Sequence, residues 1–182
     1  MFDNFHSKVA IEVNKKQNSV LKGFLPNWQT ANFQLLYKAS RDGFGPKVFH
    51  QKCDCKGQTL TFLLSEHAKV FGFYISSSLS DYENGRNDKQ FFMFQLDKKT
   101  IHRPLENEYL NIENNNSSIC IDSGYSNGKI TLDFNLNGIK SNLEQFVRRI
   151  EIVHFEDNKE AESYLGGATN FKVLEMEVYQ YM

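Results

Sequence analysis

The chain has 182 residues with 21 basic and 22 acidic side chains, for a net charge of −1. So even a balance argues against a general nucleic-acid binder, which carries a basic excess on one face. No apolar run approaches the ~18 residues that a membrane span requires.

A single domain over residues 1–182 is expected at this length. It is large enough to bury one core without metal or disulfides. Sixteen Phe and eight Tyr supply much apolar area, as a sheet core needs. The cysteines are Cys53, Cys55 and Cys120, an odd and small set. Residues Met1 to His6 show no basic segment followed by an apolar run, and Val178 to Met182 show no lipidation or retention signal. Reduced thiols and a cytoplasmic location are expected from this pattern.

In chain order, residues 7–22 read as a helix, with Ser7 as N-cap and Val9, Val13, Val20 and Phe24 near one face. Gln17 interrupts that stripe, and Gly23 and Pro26 stop it. Phe33 to Ser40 reads as a strand, and Arg41-Asp42-Gly43 turns the chain. Gly45-Pro46 opens a short helix to about Lys52, since proline suits the first helical position; Val48 and Phe49 should pack inward. Thr59–Ser65 and Lys69–Ser76 read as the two arms of a hairpin turned at Glu66-His67-Ala68. Residues 77–89 are loop by composition. Gln90–Leu96 is a strand, apolar on both faces and therefore central.

Residues 97–118 carry little pattern, and Asn114 to Ser118 is their most loop-like part. Strands resume at Ile119–Asp122 and Lys129–Phe134, with turn chemistry between them. Residues 141–150 suit strand or helix, 152–155 suits a strand, and 156–165 a polar helical turn or loop. Gly166-Gly167 break the chain, and Phe171 to Tyr179 closes it as a strand. Many short strands with few helices imply a mostly β, two-layer fold with peripheral helices.

Three groups of residues together resemble a known family. They are Leu35 to Phe44 with Phe49-His50, Lys52-Cys53-Asp54, Lys56-Gly57 and Thr59-Leu60; Lys69-Val70-Phe71-Gly72 with Tyr74, Ser76 and Phe91 to Leu96; and Leu165-Gly166-Gly167 with Asn170 to Tyr179. Their order resembles that of the TLDc family, the oxidation-resistance proteins. The resemblance covers nearly the whole chain and is weakest over 97–118. It implies two antiparallel sheets packed as a sandwich with short peripheral helices, here about residues 33–180. It also implies a protein-binding role without a recognised catalytic site, with the vacuolar-type proton-pumping ATPase (V-ATPase) as partner in several members. Protection from oxidative stress is the associated function. This sequence departs from the family in three places: Phe73 stands where many members have a second glycine, Leu79 lies near where a tryptophan is common, and Ala68 occupies the usual hairpin-turn glycine.

Each chemical candidate has a plainer alternative. Cys53-Asp54-Cys55 offers thiols, but zinc takes four ligands and no second pair exists, so small turn residues are the better account. His50 and Cys53 fall on one helical face as a base and nucleophile would, yet a histidine bonded to the backbone is the simpler role. The most constrained segment is Arg41, Asp42, Gly43 and Phe44, either a partner contact or a turn in which Asp42 bonds backbone N–H groups and Gly43 supplies an unusual φ. No cofactor, metal or nucleic-acid partner is expected, and no direct membrane insertion. The expected function is non-catalytic binding of a protein partner, the V-ATPase first. The expected site is cytoplasmic, including the periphery of an ATPase-bearing membrane. The alternatives are a constitutive subunit of another large assembly, for example ciliary or cytoskeletal, and a redox enzyme.

Overall fold

A computed structural model describes residues 1–79, 88–103, 110–115, 118–123, 128–133, 139–142, 163–168 and 170–182. The chain starts with helix α1 (Phe2–Val13) and a 3-10 turn (Leu21–Gly23), then strand β1 (Phe33–Lys38). The single helical turn α2 (Ala39–Asp42) and helix α3 (Pro46–Cys53) follow. The other strands are β2 (Thr59–Ser65), β3 (Val70–Ile75), β4 (Phe92–Gln95), β5 (Thr100–His102), β6 (Leu110–Asn115), β7 (Ser118–Ser123), β8 (Gly128–Asp133), β9 (Ile139–Asn142) and β10 (Asn170–Tyr181). The protein is thus mostly β with a few short helices.

Six strands form one antiparallel sheet in the order β5-β4-β3-β2-β10-β1. The twelve-residue β10 organises it. One side of β10 pairs with β2; its last residues pair with β1, and Asn170 to Val173 pair with β9. From β9 an antiparallel ladder continues through β8 and β7 to β6.

Both faces of the six-stranded sheet are buried, and period-2 alternation sorts the side chains between them. Leu63, Phe71, Phe73, Ile75, Met93, Met176 and Val178 point to one face, where Phe49 and Cys53 of α3 cover them together with Tyr164 and Leu165. Leu60, Phe62, Leu64, Tyr74, Phe92, Phe94 and Tyr181 point to the other, under Phe5 and Val9 of α1 and Leu21, Leu25 and Trp28. Every residue of β2 is buried, as a central strand covered on both sides requires. Each fully buried Phe contributes roughly 2–3 kcal/mol of hydrophobic stabilisation.

Gly72 makes the second face close. Phe62, Gly72 and Phe94 are successive cross-strand partners, and the Phe62 and Phe94 rings meet edge to face at 5.4 Å. A Cβ on Gly72 would stand 1.9 Å from the Thr61 carbonyl oxygen and 2.6 Å from Phe94 Cζ. On the opposite face Phe73 stacks on Phe91 at 6.5 Å, so the ring in place of a second glycine has its own partner. Leu79 is buried in that same cluster.

Strands β2 and β3, the 46–53 helix, β4 and the closing strand lie where their patterns place them, and Phe49 packs inward while Val48 is half-buried; β1 ends at Lys38, with Ala39 and Ser40 in α2 and not in the expected strand. Two further expectations are corrected. The helix predicted over 7–22 lies instead at Phe2–Val13, so Ser7 is inside it and caps nothing. The chain leaves the helix at Asn14 and Lys15, the latter with φ of 52°, and the buried Glu12 carboxylate draws the next segment back. That carboxylate accepts bonds from Ser19 Oγ (2.5 Å), Val20 N (3.0 Å) and Leu21 N (3.1 Å). The apolar stripe is thus shared between a helix and a separate turn. In the second correction, Asn114, Asn115 and Ser118 of the stretch read as most loop-like are strand residues, with Asn115 paired to Ser118 between β6 and β7; residues 116 and 117 lie outside the described residues. Cross-strand partners there outweigh the loop preference of asparagine and serine. The expected segments at 143–162 lie outside the described residues.

Candidate functional site

The strand-to-turn junction of residues 36–44 is built by its own polar groups. Asp42 Oδ2 accepts the Lys38 backbone N–H at 2.9 Å, reaching back four residues to close the turn. Arg41 grips the same carboxylate twice, Nε to Oδ1 at 3.0 Å and Nη2 to Oδ2 at 2.7 Å. Lys52 Nζ approaches Oδ1 at 3.4 Å from α3. The Arg41 bonds foremost, with the Lys38 N–H and Lys52, hold the Asp42 carboxyl far below the usual carboxylate range. The same contact raises the Arg41 guanidinium, whose side chain is half exposed.

Gly43 adopts φ of 89°, in the region that favours glycine, and its N–H closes on the Ala39 carbonyl at 2.9 Å. Its own carbonyl accepts the Tyr37 hydroxyl at 2.5 Å. Tyr37 is fully buried and meets Phe49 edge to face, and burial pushes its phenol well up. Phe44 packs, half-buried, against the same cluster. The four residues Arg41, Asp42, Gly43 and Phe44 are therefore brought together, with Asp42 and Phe44 turned toward the fold and Gly43 and the outer side of Arg41 toward solvent.

Two acidic residues of β10 join this region and escaped the sequence reading. Glu175 sits at the bulge against β2, buried, and accepts the backbone N–H groups of Ser40 (3.1 Å) and Met176 (3.0 Å). Glu177 is buried and bonds Lys38 Nζ (2.8 Å) and the Tyr179 hydroxyl (2.7 Å), with His6 Nε2 at 3.7 Å. The available signal was two glutamates in a strand otherwise read as apolar; a buried carboxylate requires donors.

The reactive candidates separate. Cys53 is fully buried among core side chains, and burial pushes its thiol well up, away from the thiolate that attacks. His50 turns Nδ1 to the Asp54 carboxylate at 3.1 and 3.2 Å, one helical turn on. Cys55 is exposed with φ of 57°. Among the described residues no group of three His, Cys, Asp or Glu side chains could hold a metal ion.

A further polar cluster lies on β5. His102 Nε2 contacts Thr100 Oγ1 at 2.9 Å, and the Tyr164 hydroxyl bonds the same oxygen at 3.1 Å. Lys98 Nζ lies over the Tyr164 ring at 3.7 Å. Among the described residues His102 Nδ1 and the amide nitrogen of Gln95 are buried without a hydrogen-bond partner. Elsewhere Asn18, Ser19, Val20, Phe24, Lys99 and Ile101 border an open groove of about 320 Å³. No helix of the described residues is long and apolar enough to cross a membrane.

The family model described as the TLDc domain matches residues 8–182. No curated protein matches the chain.

Proposed function

The chain belongs to the TLDc domain family, an oxidation-resistance-related domain, and from that premise we propose that it is a non-catalytic protein-interaction module that binds or regulates the vacuolar-type proton-pumping ATPase. The observation that carries this reading is the near-complete span of the family match. The placement of the reactive side chains supports it. Cys53 is buried in the core, and burial pushes its thiol up, away from the thiolate that a cysteine nucleophile needs.

The module acts from the cytoplasmic side, at the periphery of the ATPase-bearing membrane. Family membership also supports packing of the β6–β9 ladder as the second sheet of a sandwich. Intramolecular cross-links between residues of the two ladders test that arrangement, and their confinement within each ladder refutes it.

Affinity capture of the full chain from cells, at low and at moderate salt, tests the partner. ATPase subunits are expected in the captured material. Their absence at both salts rejects the reading, and steady recovery of a different assembly replaces it with that of a constitutive subunit. Substituting Cys53, Cys55 and His50 together should leave protection from peroxide unchanged. Loss of protection in a variant that still folds would instead identify a redox activity.

A further inference from the structure

Strand β1 is paired along one side only: among the described residues its single ladder partner is β10. Open strand edges carry main-chain groups that recruit other strands, and proteins block them with charges, bulges or covering segments. The β1 edge bears such marks. Its register shifts between Leu35 and Tyr37, leaving Leu36 without a partner residue on β10.

The two nearby main-chain groups are bonded by side chains instead of a strand. The Leu36 carbonyl accepts Arg41 Nη2 at 3.3 Å, and the Lys38 N–H donates to Asp42 Oδ2 at 2.9 Å. Arg41 Nη2 and Asp42 Oδ2 are themselves joined at 2.7 Å. A continuous path therefore runs from the Leu36 carbonyl through a guanidinium N–H and a carboxylate oxygen to the Lys38 N–H. A carbonyl and an N–H on one strand edge are the groups that an added strand would engage with its own N–H and C=O groups. The ion pair reproduces that donor and acceptor. Gly43 with its positive φ and the Tyr37 hydroxyl on the Gly43 carbonyl hold the turn that folds these side chains back onto the strand.

We propose that the Arg41–Asp42 pair is an edge guard, which keeps β1 of one copy of this chain from adding to β1 of a second copy. A two-fold pairing of identical edges is antiparallel and self-complementary. It sets the guarded end of each β1 against the unguarded end of the other, so both guards obstruct the pairing. This inference does not depend on the identity of the partner proposed above.

Sedimentation velocity of the full chain over a concentration series tests it. Arg41→Ala removes the exposed half of the guard and leaves the Asp42 bond to Lys38. The expected result is self-association tighter than that of the parent by at least about tenfold. Adding Gln34→Lys, at an exposed position of the same strand, should reverse the association, because a lysine on the otherwise open end of the edge blocks strand addition. A folded Arg41→Ala variant that sediments as the parent does overturns the proposal, as does association that Gln34→Lys leaves intact. Hydrogen exchange of the unaltered chain provides a measure independent of any variant. The Lys38 amide should exchange slowly, and exchange at the rate of an unbonded amide removes the guard.

Discussion

Burial of His102 should make the fold acid-sensitive in a window set by that one side chain. The imidazole is 1% exposed, and burial first, with the nearby Lys98 charge second, lowers its pKa from 6.5 to about 4. The groups packed around it are Thr100 and Tyr164, with Lys98 over the tyrosine ring, so no described carboxylate compensates a proton there. In the folded chain the ring stays neutral down to about pH 4, whereas the unfolded chain takes up a proton from pH 6.5 downward. The unfolded state binds more protons between those limits, so stability falls as the pH falls through that window. The contribution is complete above pH 6.5 and fully lost below about pH 4. At about 1.4 kcal/mol per pKa unit, the shift corresponds to roughly 3 kcal/mol. Urea unfolding at a series of pH values measures it, with His102→Gln as the comparison because glutamine does not titrate. The unaltered chain should lose about 3 kcal/mol more than the variant between pH 7 and pH 4. Parallel stability curves for the two proteins would refute the assignment. The depressed Asp42 carboxyl does not confuse the test, since it is present in both proteins and its loss of stabilisation toward acid pH cancels in their difference.

Five other substitutions probe the packing and the turns. Gly72→Ala should cost more than about 3 kcal/mol in chemical denaturation, and Phe94→Ala should not rescue it, because the nearer obstacle is the Thr61 main-chain oxygen. Ala68→Gly should raise stability by about 1 kcal/mol, seen as a higher urea midpoint, since Ala68 holds φ of 60° in the β2–β3 turn. Glu12→Ala strips two backbone N–H groups and the Ser19 hydroxyl of their acceptor and should cost roughly 2–4 kcal/mol, with early hydrogen exchange at Val20 and Leu21. In maleimide labelling read by peptide mass, Cys55 should react in the folded chain and Cys53 only after unfolding, as their exposures require; Cys53→Ala should therefore lower stability without changing native labelling.

The parts of this protein legible in its sequence are those whose cause is local. Runs of β-branched, aromatic and other apolar residues place β2, β3 and the closing strand, because such side chains suit a pleated, buried surface. Pro46 starts α3, since its fixed φ and missing N–H suit the first helical turn. The Arg41-Asp42-Gly43 turn follows from short-range hydrogen bonding and a positive φ at glycine.

The tertiary structure decided what depends on partners distant in sequence. Helix α1 ends at Val13 because Glu12 is needed to bind the turn at Leu21, a contact no periodicity encodes. Asn114 and Asn115 are in a strand because β7 supplies their partners. Glu175 and Glu177, charged residues in an apolar strand, are satisfied by Ser40 and Lys38, whose positions lie more than a hundred residues away. The bulge at Leu36 turns Arg41 from a surface charge into a bond on a strand edge. Local sequence sets the conformations available to each segment, but a buried charge or a strand edge acquires its role from the groups the completed fold brings against it.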